Sequence, residues 1–409
     1  MDTAVQYEIP ESWIKYSFDE IRDELLNAKA VILALQSIPF QRRWVKSIQE
    51  LQLKMEVGGS SKIEGADFAA NELETAIKAA TPEELFTRSQ RQALAATKAY
   101  RWIATLPDDR PIDVDLIHSI HRIIVTDCDD DHCEPGVVRH ADHQVVFGVP
   151  KHRGVRGGEE CQEALQKLTD EIRTTFKGHD PLIQALALHY QFAAMHPFGD
   201  GNGRTARVLE ALALQRAGLK DSLFIAMSNY YYDEKTAYLA SLAKVGAGDH
   251  DLTPFLKFGL KGIALQAQRL TNLVKNAVSK ELFRSLMGDL FSRLESTRKR
   301  VIVKRQLMVL NWLLDREGEI DWLQLIDEVA PYYASRKNAT FAIARDVNKL
   351  GALGAITVRR EMVDEKRHRF WIAANLNWPS QITETEFFMR IQGLPRSKTS
   401  TFPTPTSGM

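Results

Sequence analysis

HPFGDGNGRTAR, residues 196–207, sets one imidazole, one carboxylate, three glycines and two arginines within twelve residues. Glycines let a backbone approach a ligand closely, and arginines favour an anion. Both flanks are helical in pattern. LIQALALHYQFAAM (182–195) repeats apolar residues at three-and-four spacing and must stop near His196, because a residue before proline is pushed out of the αR region. RTARVLEALALQRAG (204–218) resumes the spacing until Gly218. The expected local plan is helix, glycine-bearing turn, helix. Backbone N–H groups of Gly201, Asn202 and Gly203 then open the second helix, where unsatisfied donors and the helix dipole favour an anion.

The other residues extend that chemistry. Asp200 offers a hard oxygen to Mg²⁺, which takes one or two carboxylates and leaves its remaining positions to water and phosphate. Arg204 and Arg207 lie three apart on one helical face, so both guanidiniums are expected to reach one polyphosphate. His196 is suited to accept a proton from an incoming hydroxyl. Together they point to nucleotidyl or phosphoryl transfer. A Walker A loop would need lysine and then Ser or Thr after its last glycine; Arg204 stands there instead.

Outward from this stretch the pattern is mainly α. FDEIRDELLNAKAVILAL (18–35) is one amphipathic helix, and Thr81-Pro82-Glu83-Glu84 reads as a capped start of another running toward Ala104. Val145, Val146 and Phe147 form a short β-like run before Gly148, expected as a small hairpin on the helical body. The basic residues after it, Lys151, His152, Arg153 and Arg156, read as a solvated loop. Beyond about Arg298, three amphipathic segments (305–315, 322–331, 335–353) precede two strand-like runs in AITVRREMVDEKRHRFWIA (355–373), the order of a winged helix-turn-helix domain. The tail PRSKTSTFPTPTSGM (395–409) has too little apolar content to pack and is expected to be disordered.

Composition narrows the classes. With 44% hydrophobic residues in 409, a packed core is expected; a formal net charge of zero means that any nucleic-acid partner must meet a local patch. Cys128, Cys133 and Cys161 are odd in number and lack zinc or disulfide spacing. Neither a leader pattern nor a run of membrane-spanning length is present, so a soluble, cytoplasmic protein with no membrane partner is expected.

HPFGDGNGRTAR resembles the signature of the Fic family of nucleotidyltransferases, HxFx(D/E)GNGRxxR, at every defined position. The likeness continues through ALALHYQF, the Pro135-to-Arg139 segment and TPFLKF, and covers roughly residues 40–265. It implies AMP transfer from ATP to a protein hydroxyl. His196 would deprotonate a target Ser, Thr or Tyr, Asp200 would hold Mg²⁺, the GNG turn with Asn202 would cradle the α- and β-phosphates, and Arg204 and Arg207 would hold the outer ones. The hairpin Val145, Val146, Phe147, Gly148 would be the flap that aligns the target peptide by strand addition. Asn229 and Tyr230 to Tyr232 fall where the family places groups near the nucleotide, but read equally well as packing.

Upstream, GGSSKIEGAD (58–67) taken alone is a turn: Ser60 caps a short helical turn, Glu64 projects, and Gly65 ends it left-handed. Beside a Fic core, Ser60-x-x-x-Glu64-Gly65 resembles the family's inhibitory motif in its N-terminal placement. If Glu64 pairs with Arg207, that guanidinium cannot hold the γ-phosphate. Some inhibited relatives use the same glutamate to position a water that removes AMP, so both directions stay open. Members of this type often associate as homodimers.

The expected fold is a Fic-type helical core with a β-hairpin flap plus a C-terminal winged helix. Its parts are an N-terminal helical region at 1–110, the catalytic core at 111–265, a connecting helix at 266–300, the winged helix at 301–375 and an extension at 376–409. In the winged helix, Arg336, Lys337, Arg345, Lys349, Arg359, Arg360, Lys366, Arg367 and Arg369 could meet DNA phosphates, while Asp346, Glu361, Asp364 and Glu365 interrupt them. DNA and a protein surface are equally good partners on this pattern. The competing class is therefore a nucleotide-sensing, DNA-binding regulator, and transfer of a nucleotide other than AMP is a third reading.

Overall fold

The computed structural model describes residues 4–38, 42–69, 71–128, 133–148, 151–219, 224–247, 249–297, 304–316, 318–334, 337–363 and 368–392. The expected tail, and Arg336, Asp364, Glu365, Lys366 and Arg367, lie outside them. The chain divides into two compact units, 1–274 and 275–409.

The first unit is built on helices α1 (Phe18–Gln36), α2 (Arg42–Ile63), α3 (Glu72–Lys78), α4 (Arg88–Ile103), α5 (Val114–Val125), α6 (Glu159–Arg173), α7 (Pro181–Met195), α8 (Asn202–Arg216), α9 (Met227–Asp233) and α10 (Lys235–Ala247). The 45-residue α11 (Thr253–Thr297) begins in this unit and continues into the second. Helices α7 and α8 are the central pair; α6 packs on the first, and α4 and α5 on the second. Asp180 caps α7 by accepting from the Leu182 N–H at 3.0 Å, with Pro181 at the first helical position. Leu182, Leu186, Leu188, Tyr190 and Phe192 are buried, covering every side of α7, the pattern of an interior helix. On α8 the buried set includes Arg204, Arg207 and Glu210, and charges are almost never buried without a partner.

The expected start of α4 is corrected. Pro82–Glu84 make only a 3₁₀ turn, and the α-helix opens at Arg88 behind a capping box in which the Thr87 hydroxyl accepts from Gln90 N–H at 3.1 Å and the Gln90 amide oxygen accepts from Thr87 N–H.

The hairpin forms between β2 (Val146–Phe147) and β3 (His152–Arg153), antiparallel, with Val146 opposite Arg153; Val145 precedes the strand. A third strand, β1 (Val5–Gln6), pairs parallel with the other side of β3, giving the order β1-β3-β2. From there the N-terminal segment straps across the unit. The Tyr7 hydroxyl donates to Gln191 Oε1 at 2.9 Å, Gln191 Nε2 donates to the Trp13 carbonyl at 2.7 Å, and Leu252 N–H donates to the Lys15 carbonyl at 2.8 Å.

The second unit holds α12 (Lys304–Leu314), β4 (Ile320–Asp321), α13 (Trp322–Val329), α14 (Ala339–Ala352), β5 (Ile356–Met362), β6 (His368–Ala374), α15 (Trp378–Gln381) and α16 (Glu384–Gln392). All three strands pair antiparallel in the order β4-β6-β5, so the two expected strands gain a short partner the sequence did not reveal. Its core joins Leu310, Ile343, Val347, Ile372, Trp378 and Phe387 with Phe283, Met287, Leu290 and Phe291 from the C-terminal part of α11.

Candidate active site

Residues 196–207 link α7 to α8. His196 closes α7 in a left-handed conformation (φ 50°, ψ 58°), so proline at 197 drives it not to extended backbone but to the other side of the map. Three hydrogen bonds fix the neighbourhood: Arg139 Nε donates to the His196 carbonyl at 2.9 Å, Arg139 N–H to the Pro197 carbonyl at 2.9 Å, and Val155 N–H to the Met195 carbonyl at 3.0 Å. The imidazole lies under Phe147 of the flap, with ring centroids 3.9 Å apart and planes at 10°. Its Nδ1 faces the Ala193 carbonyl at 3.3 Å, which places the ring hydrogen on Nδ1 and leaves Nε2 as an acceptor. Burial pushes the pKa down to about 4, so the ring is neutral near pH 7.

Gly201, at φ +75°, supplies the turn, and a Cβ there would meet Val125 Cγ1 at 2.7 Å. Asn202 is buried and its amide closes the loop on itself, accepting from Phe198 N–H and donating to the Phe198 carbonyl, both at 2.9 Å. Its side chain is thus committed to the turn, and what it offers a ligand is its backbone N–H at the head of α8, beside that of Gly203. Asp200 is half-exposed and meets Arg88 at 3.3 Å and Arg204 at 3.4 Å. Among the described residues no three His, Cys, Asp or Glu side chains gather as a metal cluster. One hard carboxylate beside an anion turn still fits Mg²⁺ whose other ligands are phosphate and water.

The two arginines part company. Arg204 is buried against the end of α5, donating to the Ile124 carbonyl at 3.3 Å as well as meeting Asp200. Arg207 turns toward α2: Nε donates to Ser60 Oγ at 2.9 Å, and an Nη donates to Glu64 Oε1 at 2.5 Å. Burial would raise the Glu64 pKa, but Arg207 outweighs it and holds the carboxyl below its usual range. In turn that carboxylate outweighs burial at Arg207 and raises its pKa. Ser60 is not a cap: α2 runs through it to Ile63, and the buried hydroxyl serves the arginine. Gly65 does end the helix left-handed, at φ +90°.

One cavity of about 510 Å³ brings these groups together. His196, Gly203, Arg207, Glu64, Phe147 and Gly148 line it, closed on the far side by Val5 to Glu8 and by Tyr238, Leu239 and Leu242 of α10. That volume is within the range of small-molecule and cofactor sites. At Gly203 a Cβ would meet Glu64 Oε1 at 2.6 Å, so only glycine leaves room there for the carboxylate. Tyr230 and Tyr231 are buried packing residues, as the plainer reading had it.

Two supports escaped the sequence. His121 is fully buried, stacked on Phe198 at 3.6 Å; its Nδ1 accepts from Gly136 N–H and its Nε2 donates to the Asp200 carbonyl, each at 3.0 Å. Burial lowers its pKa to about 4, which keeps that pattern of one donor and one acceptor intact. Gln191 anchors the N-terminal strap. Neither has a spacing that marks it; each is one of several polar residues on its helix, and the sequence does not say which of them is buried.

Comparison with known proteins gives a consistent likeness. The model of the Fic/DOC family matches residues 111–214. The chain is 32% identical over 119 residues to protein adenylyltransferase fic-1 of Caenorhabditis elegans, covering 29% of this chain and 21% of that protein. It is 27% identical over 252 residues to protein adenylyltransferase Fic of Nematostella vectensis, covering 59% and 51%. The chain thus spans only a fifth to about half of these relatives. Among solved structures, Fic-1 (134–508) from C. elegans superposes with a TM-score of 0.52 at 22% identity, over 63% of this chain and 73% of that one. A Fic family protein from Desulfovibrio desulfuricans G20 does so at 0.53 and 18% identity, over 89% and 98%. At those identities the likeness speaks for the fold.

Proposed function

We propose that this chain is a Fic-type enzyme, an autoinhibited protein AMP-transferase moving AMP from ATP to a hydroxyl of a protein target or of itself. The observation that carries the reading is the shared cavity, which a neutral imidazole with a free Nε2, Gly203 at the head of α8 and a buried arginine all line. His196 takes the proton of the incoming hydroxyl on one side of the α-phosphorus, and the head of α8 receives the phosphates on the other. Bound at Asp200, Mg²⁺ would neutralise charge on the leaving pyrophosphate. Glu64 keeps the enzyme off by occupying Arg207, the group that would hold the outer phosphate. Phe147, stacked on His196, puts the flap where a target strand would bring its hydroxyl to the ring.

The DNA-regulator reading draws less support. Two of the five wing cations are paired, Arg359 with Glu319 at 2.7 Å and Arg369 with Asp321 at 2.5 Å. Asp346 does not interrupt the surface patch but faces inward, accepting from Gln306 and Tyr333 at 3.0 Å.

The test is intact mass after incubating wild type, Glu64→Gly and Glu64→Gly/His196→Ala with Mg²⁺ and each nucleoside triphosphate. Glu64→Gly is expected to gain an AMP-sized adduct from ATP, at least about tenfold above wild type, since freeing a charged, hydrogen-bonded partner is worth roughly 1.5–3 kcal/mol. The double variant is expected to show none. No adduct with any nucleotide, despite measurable ATP binding, sinks the transferase reading.

A further inference from the structure

Arg207 is held on α2 by Ser60 and Glu64, and Tyr238 of α10 lines the same cavity, with its hydroxyl within reach of the guanidinium charge. Behind Tyr238 lies a buried chain with no part in the reaction as described. The Tyr238 oxygen is 2.9 Å from His189 Nε2, His189 Nδ1 faces a carboxylate oxygen of Glu210, and the Tyr231 hydroxyl donates to the other Glu210 oxygen at 2.6 Å. Exposure is 0% for His189, 1% for Glu210, 0% for Tyr231 and 3% for Tyr238.

The chain has a direction. A carboxylate at Nδ1 puts the ring hydrogen there, so Nε2 accepts and Tyr238 must donate to it. Tyr238 thus donates to His189 and His189 to Glu210, which leaves the lone pairs of the phenol oxygen for the guanidinium that shares its cavity. Burying an imidazole and a carboxylate in a helical core is costly where apolar residues would fit, so the arrangement needs a reason. Neither His189 nor Glu210 lines the cavity, whereas Tyr238 and Arg207 do. When the Glu64 carboxylate withdraws, Ser60 is what remains to hold the guanidinium from α2, on the side of its Nε. We propose that Tyr238, oriented by His189 and Glu210, is a positioning residue that keeps the Arg207 guanidinium in place to receive the outer phosphate of a nucleoside triphosphate once Glu64 has left. The proposal rests on the nucleotide-binding reading of the cavity.

Calorimetric titration tests it without relying on catalysis. In a Glu64→Gly background, ATP and AMP are titrated into the parent and into Tyr238→Phe, His189→Asn and Arg207→Ala. Asparagine at 189 can still serve Glu210 but cannot reach Tyr238, so it breaks the chain at a residue that touches neither nucleotide nor arginine. Both chain variants are expected to lower the preference for ATP over AMP by about tenfold, the scale of a hydrogen bond to a charged group, with AMP affinity changed by less than about twofold. If Arg207→Ala loses the preference while Tyr238→Phe and His189→Asn keep it, the positioning role is overturned alone. If Arg207→Ala also keeps it, the phosphate role of Arg207 falls and takes the proposal with it. Should Tyr238→Phe fail to fold, His189→Asn decides the matter in the same terms.

Discussion

His196 combines a backbone that a non-glycine residue adopts only at a cost of about 1–2 kcal/mol with a ring that burial keeps uncharged. The hydrogen bonds from Arg139 and Val155 maintain that conformation, and its result is an imidazole aimed into the cavity rather than along the helix. With the pKa lowered to about 4, the basic form persists through mildly acidic pH. The Glu64→Gly enzyme is therefore expected to hold its His196-dependent rate from pH 8 down to about pH 5 and to lose it below, read as an acidic limb in a pH–rate profile. A limb centred near 6.5 would contradict the buried ring. The same shift has a stability sign: the unfolded chain binds the proton near pH 6.5 and the folded one only near 4, so this group's contribution is lost as pH falls between those values. At this scale local spacing pointed to the histidine and to a left-handed Gly65, whereas the glutamate–arginine pair, 143 residues apart, came only through the family resemblance. The sequence could not tell that the Asn202 amide serves the loop or that Arg204 turns to α5, since those depend on what lies opposite.

Helix α2 shows why the element scale was harder. GGSSKIEGAD taken alone reads as a turn, yet the helix continues through Gly58 and Gly59 to Ile63. Packing explains it: a Cβ at Gly58 would meet Leu73 Cδ2 at 2.9 Å, and one at Gly59 would meet the Ser228 backbone at 2.5 Å. Glycine marks close approach here, not a turn. A second tie lies one turn back, where buried Glu56 accepts from the Tyr100 hydroxyl at 2.6 Å and Ser228 N–H at 2.8 Å. Gly59→Ala is expected to push α2 off α9, weaken the Glu64–Arg207 contact and raise basal adduct formation severalfold, while costing about 1–3 kcal/mol of stability as an overpacked core does. Thermal unfolding and intact mass on one sample check both; a lower Tm with unchanged basal activity would separate helix packing from inhibition. The start of α4 failed differently, since Thr-Pro-Glu-Glu and Thr-x-x-Gln both carry capping chemistry and only the second is followed by a long helix.

Across the whole molecule, the sequence revealed two textures but not that α11 serves both, because apolar residues along 253–297 do not say which neighbour covers them. Phe283, Met287, Leu290 and Phe291 belong to the core of the second unit. A fragment 275–392 is expected to melt cooperatively by circular dichroism, whereas 304–392, without those four side chains, is expected to lack a cooperative transition; burying even one Phe is worth about 3–5 kcal/mol. Equal melting of both fragments would refute the assignment. The strap from β1 was invisible for a related reason: Val5 pairs with His152, and nothing in either short run names the other. That long-range closure also governs synthesis. One wall of the cavity is residues 5–8 and another begins at Lys235, so a chain growing from its N-terminus displays the complete HPFGDGNGRTAR motif well before it possesses a pocket. A ribosome stalled between those points would hold every letter of the motif and an unfinished cavity.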